Sequence, residues 1–174
     1  AERSHQFRET NSTTSHSIIV PSVSSERREY IPMGFVDESI IITNLAFAIY
    51  DCDPWMFGLL TSKMHNLWIK TVCGSLETRV RYSSGLGYNT FPFPEISEQE
   101  KERITMCVFE IIGEREKFPE RTMAQLYDPD KMPTALLTSH RTLDKVIDSC
   151  YRSAPFTSDQ ERIDHLFNYY NELS

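Results

Sequence analysis

Two clusters in the chain carry side chains that could grip or read a polyanion. The first is Ser22-Val23-Ser24-Ser25-Glu26-Arg27-Arg28-Glu29-Tyr30. A guanidinium presents a rigid fork of donors that fits guanine O6 and N7 or two phosphate oxygens, which makes Arg27 and Arg28 candidate donors. Glu26 can accept from cytosine N4, while Ser24, Ser25 and nearby backbone amides suit phosphate contacts that fix register without reading sequence. The same composition also makes an ordinary exposed loop laced with salt bridges. The second cluster is Arg79, Arg81 and Tyr82. In an alternating strand Arg79 and Arg81 share a face, where two positive charges repel unless a phosphate, an acid or solvent accommodates them. Lys63 and Lys70 lie two turns apart on a preceding helical pattern and either extend that patch or cover the rim of the helix's apolar face with their stems.

Other chemistry is missing from the sequence. It holds no glycine-rich phosphate loop, no paired Cys-His zinc spacing and no compact nucleophile, base and oxyanion arrangement. His5, His16, His65, His140 and His165 are dispersed, so surface or capping roles are expected for them rather than metal ligation. Asp128 and Asp130 flank Pro129 in a turn and lack an adjacent Glu-x-Lys, which argues against a catalytic Mg²⁺ pair. Cys52, Cys73, Cys107 and Cys150 are far apart and read as reduced thiols. Trp55, Phe57, Trp68, Phe91 and Phe93 occur at helical spacing or between prolines and are expected to fill a core rather than stack on bases.

The 174 residues suffice for one domain or two small ones. With 18 Lys+Arg against 25 Asp+Glu the formal charge is −7, which looks wrong for a nucleic-acid binder. The total conceals an asymmetry: residues 1–94 carry 8 basic and 9 acidic side chains, residues 95–174 carry 10 and 16. A basic face on the first half is therefore compatible with the acidic total. No signal peptide or long uninterrupted apolar run occurs, so secretion and membrane insertion are not expected. The opening Ala1-Glu2-Arg3 lacks an initiator methionine and reads as part of a longer polypeptide.

The elements that would position the two clusters follow from periodicity. Residues 17–21, a stretch near 30–35, and the runs 40–42 and 46–50 read as strands, with 22–28 an exposed loop between the first two. Asp53 and Pro54 open an apolar helix over 54–74 that carries Phe57, Leu60, Met64, Leu67, Trp68 and Val72, with Gly74 as its stop. This helix should cover a small mixed sheet. After Phe91-Pro92-Phe93-Pro94 the pattern turns helical. Ser97 and Glu100 form a capping box for a helix to about 116, residues 122–126 add a short helix, Pro133 opens a third, and Thr157 with Gln160 can cap a fourth. The expected fold class is α+β: a small mixed β-sheet packed by a central helix over 1–96, followed by a helical bundle over 97–174.

Several of these strings recur in order in a known family. Val23-Ser24-Ser25-Glu26-Arg27-Arg28-Glu29-Tyr30-Ile31-Pro32-Met33-Gly34-Phe35, Gly58-Leu59-Leu60-Thr61-Ser62-Lys63-Met64, Arg81-Tyr82-Ser83 and Tyr88-Asn89-Thr90-Phe91-Pro92-Phe93-Pro94 resemble the target-recognition region of the MmeI-like restriction-modification enzymes. Leu126-Tyr127-Asp128-Pro129-Asp130-Lys131-Met132-Pro133 and the stretch from His140 to Tyr151 resemble the helical C-terminal segment of the same proteins. The likeness covers about residues 16–173. It implies a parent that uses S-adenosylmethionine to methylate adenine N6 in a specific duplex and, where a nuclease domain is present, cleaves DNA with Mg²⁺. Neither the Asn-Pro-Pro-Tyr type motif of such methyltransferases nor the nuclease Asp…Glu-x-Lys set occurs here. The resemblance thus implies a cytoplasmic, non-catalytic fragment without a cofactor of its own, whose partners are double-stranded DNA and the methyltransferase domain of the parent chain. Its role would be to place the duplex for flipping of the target adenine, with Arg27 and Arg28 as first candidates for contact and Arg79 and Arg81 as second. The alternative from another class is a protein-interaction module built on the acidic bundle.

Overall fold

A computed structural model describes residues 15–40, 42, 46–76 and 79–173. Strands β1 (Ser17–Pro21), β3 (Gly34–Val36) and β4 (Ala46–Ile49) form one antiparallel sheet in the order β3-β1-β4, with Ile18 opposite both Phe35 and Ile49. Strands β2 (Val23–Ser25), β5 (Ser75–Leu76) and β6 (Arg79–Arg81) form a second, in the order β2-β6-β5. The expected single mixed sheet is therefore two small sheets whose pairings are all antiparallel among the described residues. Residues 17–25 supply a strand to each, and Pro21 and Ser22 mark the crossing. The span expected as a loop over 22–28 thus contains β2. The strand sought near 30–35 is shorter and later, at Gly34–Val36, and Ile40 is an exposed non-strand residue. Ile41, Thr43 and Asn44 lie outside the described residues.

The long helix expected over 54–74 is two helices, α1 (Pro54–Thr61) and α2 (Lys63–Val72). Ser62 divides them. Its backbone is extended at φ −68° and ψ 163°, its hydroxyl donates to Leu59 O at 2.7 Å, and the same oxygen caps α2 by accepting from the His65 amide. Serine favours such a break because its short hydroxyl satisfies the end of one helix and the start of the next. Asp53 occupies the N-cap position of α1, but its carboxylate accepts from the Trp55 indole at 3.3 Å instead of from a helix amide. Gly74 lies just past Cys73, the residue that ends α2.

The C-terminal helices are α3 (Glu98–Glu116), α4 (Met123–Leu126), α5 (Thr134–Tyr151) and α6 (Asp159–Leu173). Ser97 and Glu100 form the expected reciprocal cap of α3, and Thr122 and Gln125 repeat it for α4. For α6 the expected partners change: Glu161 accepts from Thr157, Ser158 Oγ accepts from the Glu161 amide, and Gln160 turns to Asp164. Gly58 lets α1 meet the bundle closely. A Cβ built there would stand 2.5 Å from Ile104 Cγ2 and 2.9 Å from Val108 Cγ2, so only a hydrogen fits. Phe57, Leu60, Met64, Trp68 and Phe91 from the first half share one buried cluster with Ile104, Val108, Ile111, Leu143 and Ile147 from the second. Tyr151 of α5 also donates to Pro92 O at 3.0 Å, so the proline-rich exit is fastened to the bundle.

Candidate nucleic-acid interface

The β2 and β6 pair sorts the sequence candidates. Val23 faces Arg81, Ser24 faces Val80 and Ser25 faces Arg79. Because successive side chains alternate, Arg79 and Arg81 stand on the exposed face while Val80 is 7% exposed on the other. The expectation of two arginines on one face holds. Ser24 belongs to the inner face at 4% exposure, and its hydroxyl has no partner among the described residues, so it lies away from any ligand at the surface. Ser25 is half-buried and uses its hydroxyl to accept from the Arg27 amide at 3.3 Å. Tyr82 is 4% exposed, tilted against Phe47 and His65, with its hydroxyl 3.4 Å from His65 Nε2. It is a core side chain here, and the expected contact role is corrected.

The loop after β2 is docked on the second half. Arg27 pairs with Asp130 at 2.9 Å, and both side chains are about two-thirds exposed at 66% and 68%. Such a pair is worth only about 0–1 kcal/mol, so a phosphate can displace the carboxylate at small cost. Asp128 Oδ1 accepts from the Asp130 amide, which orients the turn, and the two carboxylates serve this contact. Arg28 donates to Ala124 O at 3.2 Å, and Lys70 Nζ donates to Arg28 O at 2.7 Å. Glu26 at the loop tip is exposed. Lys63 sits among acids, 3.7 Å from Glu29 and 3.2 Å from Asp159. Burial lowers the Lys70 ammonium from its ordinary range, with Lys63 adding to the effect. Both lysines are engaged within the molecule, Lys63 by Glu29 and Asp159 and Lys70 by Arg28 O.

A buried polar network fixes the irregular segment at residues 30–33 that joins this loop to β3, and nothing in the sequence patterns pointed to it. Asn66 Oδ1 accepts from the Ile31 amide at 2.7 Å. Tyr30 donates to Asp144 at 2.6 Å, and the other oxygen of that carboxylate accepts from the Lys63 amide at 2.7 Å, at the start of α2. Arg115 donates to Met33 O at 3.0 Å and to the Tyr127 hydroxyl at 2.7 Å. That hydroxyl is hydrogen-bonded to His140 Nε2 at 2.6 Å, and the His140 ring stacks on Tyr30 at 4.3 Å. Burial pushes Asp144 up to about 6 despite these hydrogen bonds.

His65 and His140 are fully buried, not the surface or capping residues expected. Burial pushes His65 down to about 4 and holds His140 well below its ordinary range. With Leu60 O 2.7 Å from His65 Nδ1, that nitrogen carries the proton and Nε2 is left to accept. Among the described residues no three His, Cys, Asp or Glu side chains converge as a metal site would require.

Residues 1–95 match the family described as the MmeI target recognition domain, and residues 96–174 match the MmeI C-terminal domain. DNA methyltransferase A of Bacillus subtilis (strain 168) is 46% identical over 169 residues, 97% of this chain and 19% of that protein. The Type IIL restriction-modification enzyme MmeI, solved in complex with DNA, superimposes with a TM-score of 0.88 at 40% identity. That alignment covers 94% of this chain and 22% of the other. The chain spans about a fifth of the length of these relatives.

Proposed function

Because the chain belongs to the MmeI target recognition domain family, with the family's C-terminal domain following, we propose that it recognises a specific double-stranded DNA sequence. In this reading it positions the duplex for an adenine-N6 methyltransferase domain of the same polypeptide. The observation that carries the reading to particular atoms is the exposed pair Arg79 and Arg81 on the face of a short antiparallel ribbon. Strand β6 is the middle strand of the three-stranded β2-β6-β5 sheet, and two forked donors on its exposed face can address guanine edges or phosphates. Arg27 and Arg28, which turn onto the bundle at Asp130 and Ala124 O, suit an adjoining phosphate contact.

The chemistry is assigned outside these residues. S-adenosylmethionine would be held by the methyltransferase part, and Mg²⁺ by a nuclease part where the parent has one. This assignment rests on the sequence, which carries neither the Asn-Pro-Pro-Tyr type motif nor the nuclease Asp…Glu-x-Lys set. No helix among the described residues is long and apolar enough to cross a membrane. A DNA-recognising role places the protein in the compartment that holds the DNA, the cytoplasm in this reading. A free-standing protein-interaction module lacks comparable support, since the matched target recognition family and the DNA-bound neighbour point to DNA.

Duplex binding by the full-length parent tests the reading. Arg79→Ala or Arg81→Ala should remove about 1–3 kcal/mol of discrimination at one base pair if the side chain reads a base. A phosphate contact instead weakens binding on all sequences and lowers the salt slope by about 1. Unchanged affinity, discrimination and slope in both variants would remove the ribbon as the contact surface.

A further inference from the structure

Helix α3 carries two apolar stripes, and the fold uses one. Ile104, Val108 and Ile111 face the core and are fully buried. At about 100° per residue, Met106, Phe109 and Gly113 fall on the opposite side of the helix. There Met106 is 66% exposed and Phe109 57%. Phe109, Ile112 and Gly113 line an open groove of about 540 Å³ whose other wall is Phe35, Val36 and the exposed Ile40. Exposed apolar side chains that continue across two separate elements mark a contact surface rather than scattered surface residues.

Gly113 gives the groove its second argument. Glycine in a helix is less favourable than alanine by up to about 1 kcal/mol, so a helical glycine needs a reason. Gly58 has one inside the molecule, in Ile104 and Val108. Gly113 has none among the described residues: a Cβ built there meets none of them within 4 Å. The space a side chain would fill is open to whatever lies in the groove.

We propose that this groove is the seat of the methyltransferase-bearing remainder of the same polypeptide, which inserts an apolar element against Phe109 and Gly113. The inference rests on the functional reading above and names the surface through which the recognition part is held. Relatives of about five times this length carry a large remainder beside the matched part, which is an apolar partner available in the same polypeptide. The rim chemistry argues against a second copy of the chain. Asp37 and Glu116 edge the groove with His16, leaving the rim net acidic; a symmetric dimer would bring two such rims together, whereas a different surface can meet one with Lys or Arg. Arg79 and Arg81 lie on the other sheet, so DNA and the remainder do not compete for the same residues.

Hydroxyl-radical footprinting of the full-length protein tests the seat. Met106 and Phe109 are expected to react roughly tenfold more slowly than their exposure in this chain implies, independently of protein concentration. Gly113→Leu should restore their reactivity by blocking the close approach, and Gly113→Ala should do so partly. Fast reaction in the unaltered protein overturns the proposal, as does protection that appears only as concentration rises, which is the signature of a second copy. Protection that survives Gly113→Leu overturns it too. Sequence-specific duplex binding measured on the same preparation separates the two ideas. Intact binding with an open groove sinks only the seat, whereas absent binding with a protected groove sinks the DNA reading.

Discussion

At the scale of single residues, Asp144 joins the two halves, because one carboxylate accepts from Tyr30 and from the first amide of α2. Its folded value near 6 lies above the ordinary 3.8, so between those values the folded chain keeps a proton that the unfolded chain has released. The carboxyl therefore lowers stability as pH rises from about 4 to 6. His65, near 4 when folded against an ordinary 6.5, acts with the opposite sign and lowers stability as pH falls across the same window. Asp144→Asn should unmask the histidines. Between about pH 4 and 6 the stability of the variant should change by about 1.4 kcal/mol per pH unit more steeply toward acid than the parent's, read from urea midpoints at fixed pH. Parallel pH profiles would show that the carboxyl ionises normally in the fold. This residue, Tyr30 and His140 were not legible as a unit, since Tyr30 and Asp144 stand 114 positions apart and neither occurs in a periodic pattern with the other. The same separation hid the pairing of Arg27 with Asp130, whereas the shared face of Arg79 and Arg81 follows from strand alternation alone.

Among the elements, the helices were legible and the strands only partly so. The cap at Ser97 and Glu100 lies within one turn, so sequence carries all of its chemistry. The break at Ser62 also has a local cause, but the apolar period runs through it and masks the hydroxyl that ends one helix and starts the next. Strand β2 has three residues, two of them serine, too few for an alternation to register, and its identity comes from β6 more than fifty positions away. Glycines in α1 and α3 give a paired test of how the helices meet. Gly58→Ala should cost about 1–3 kcal/mol by driving a methyl into Ile104 and Val108. Gly113→Ala in the same chain should raise helix stability by up to about 1 kcal/mol, read as a small increase in thermal midpoint. Equal effects of the two would contradict the packing described for α1 and α3.

For the whole molecule, the two matched families meet at residues 95 and 96, yet the core crosses that line. Both tryptophans, Trp55 and Trp68, lie in the first half, and most helical residues lie in the second. Unfolding followed by tryptophan fluorescence and by far-ultraviolet circular dichroism should therefore give one coincident transition, as expected for a single cooperative unit. Two separated midpoints would show that the halves fold independently. The hydrogen-only fit at Gly58 carries this into heredity and design. A chimera that joins the recognition half of one relative to the helical half of another at residue 95 would set unmatched surfaces together at Gly58, Ile104 and Val108, so specificity is best exchanged with residues 15–173 travelling as one cassette.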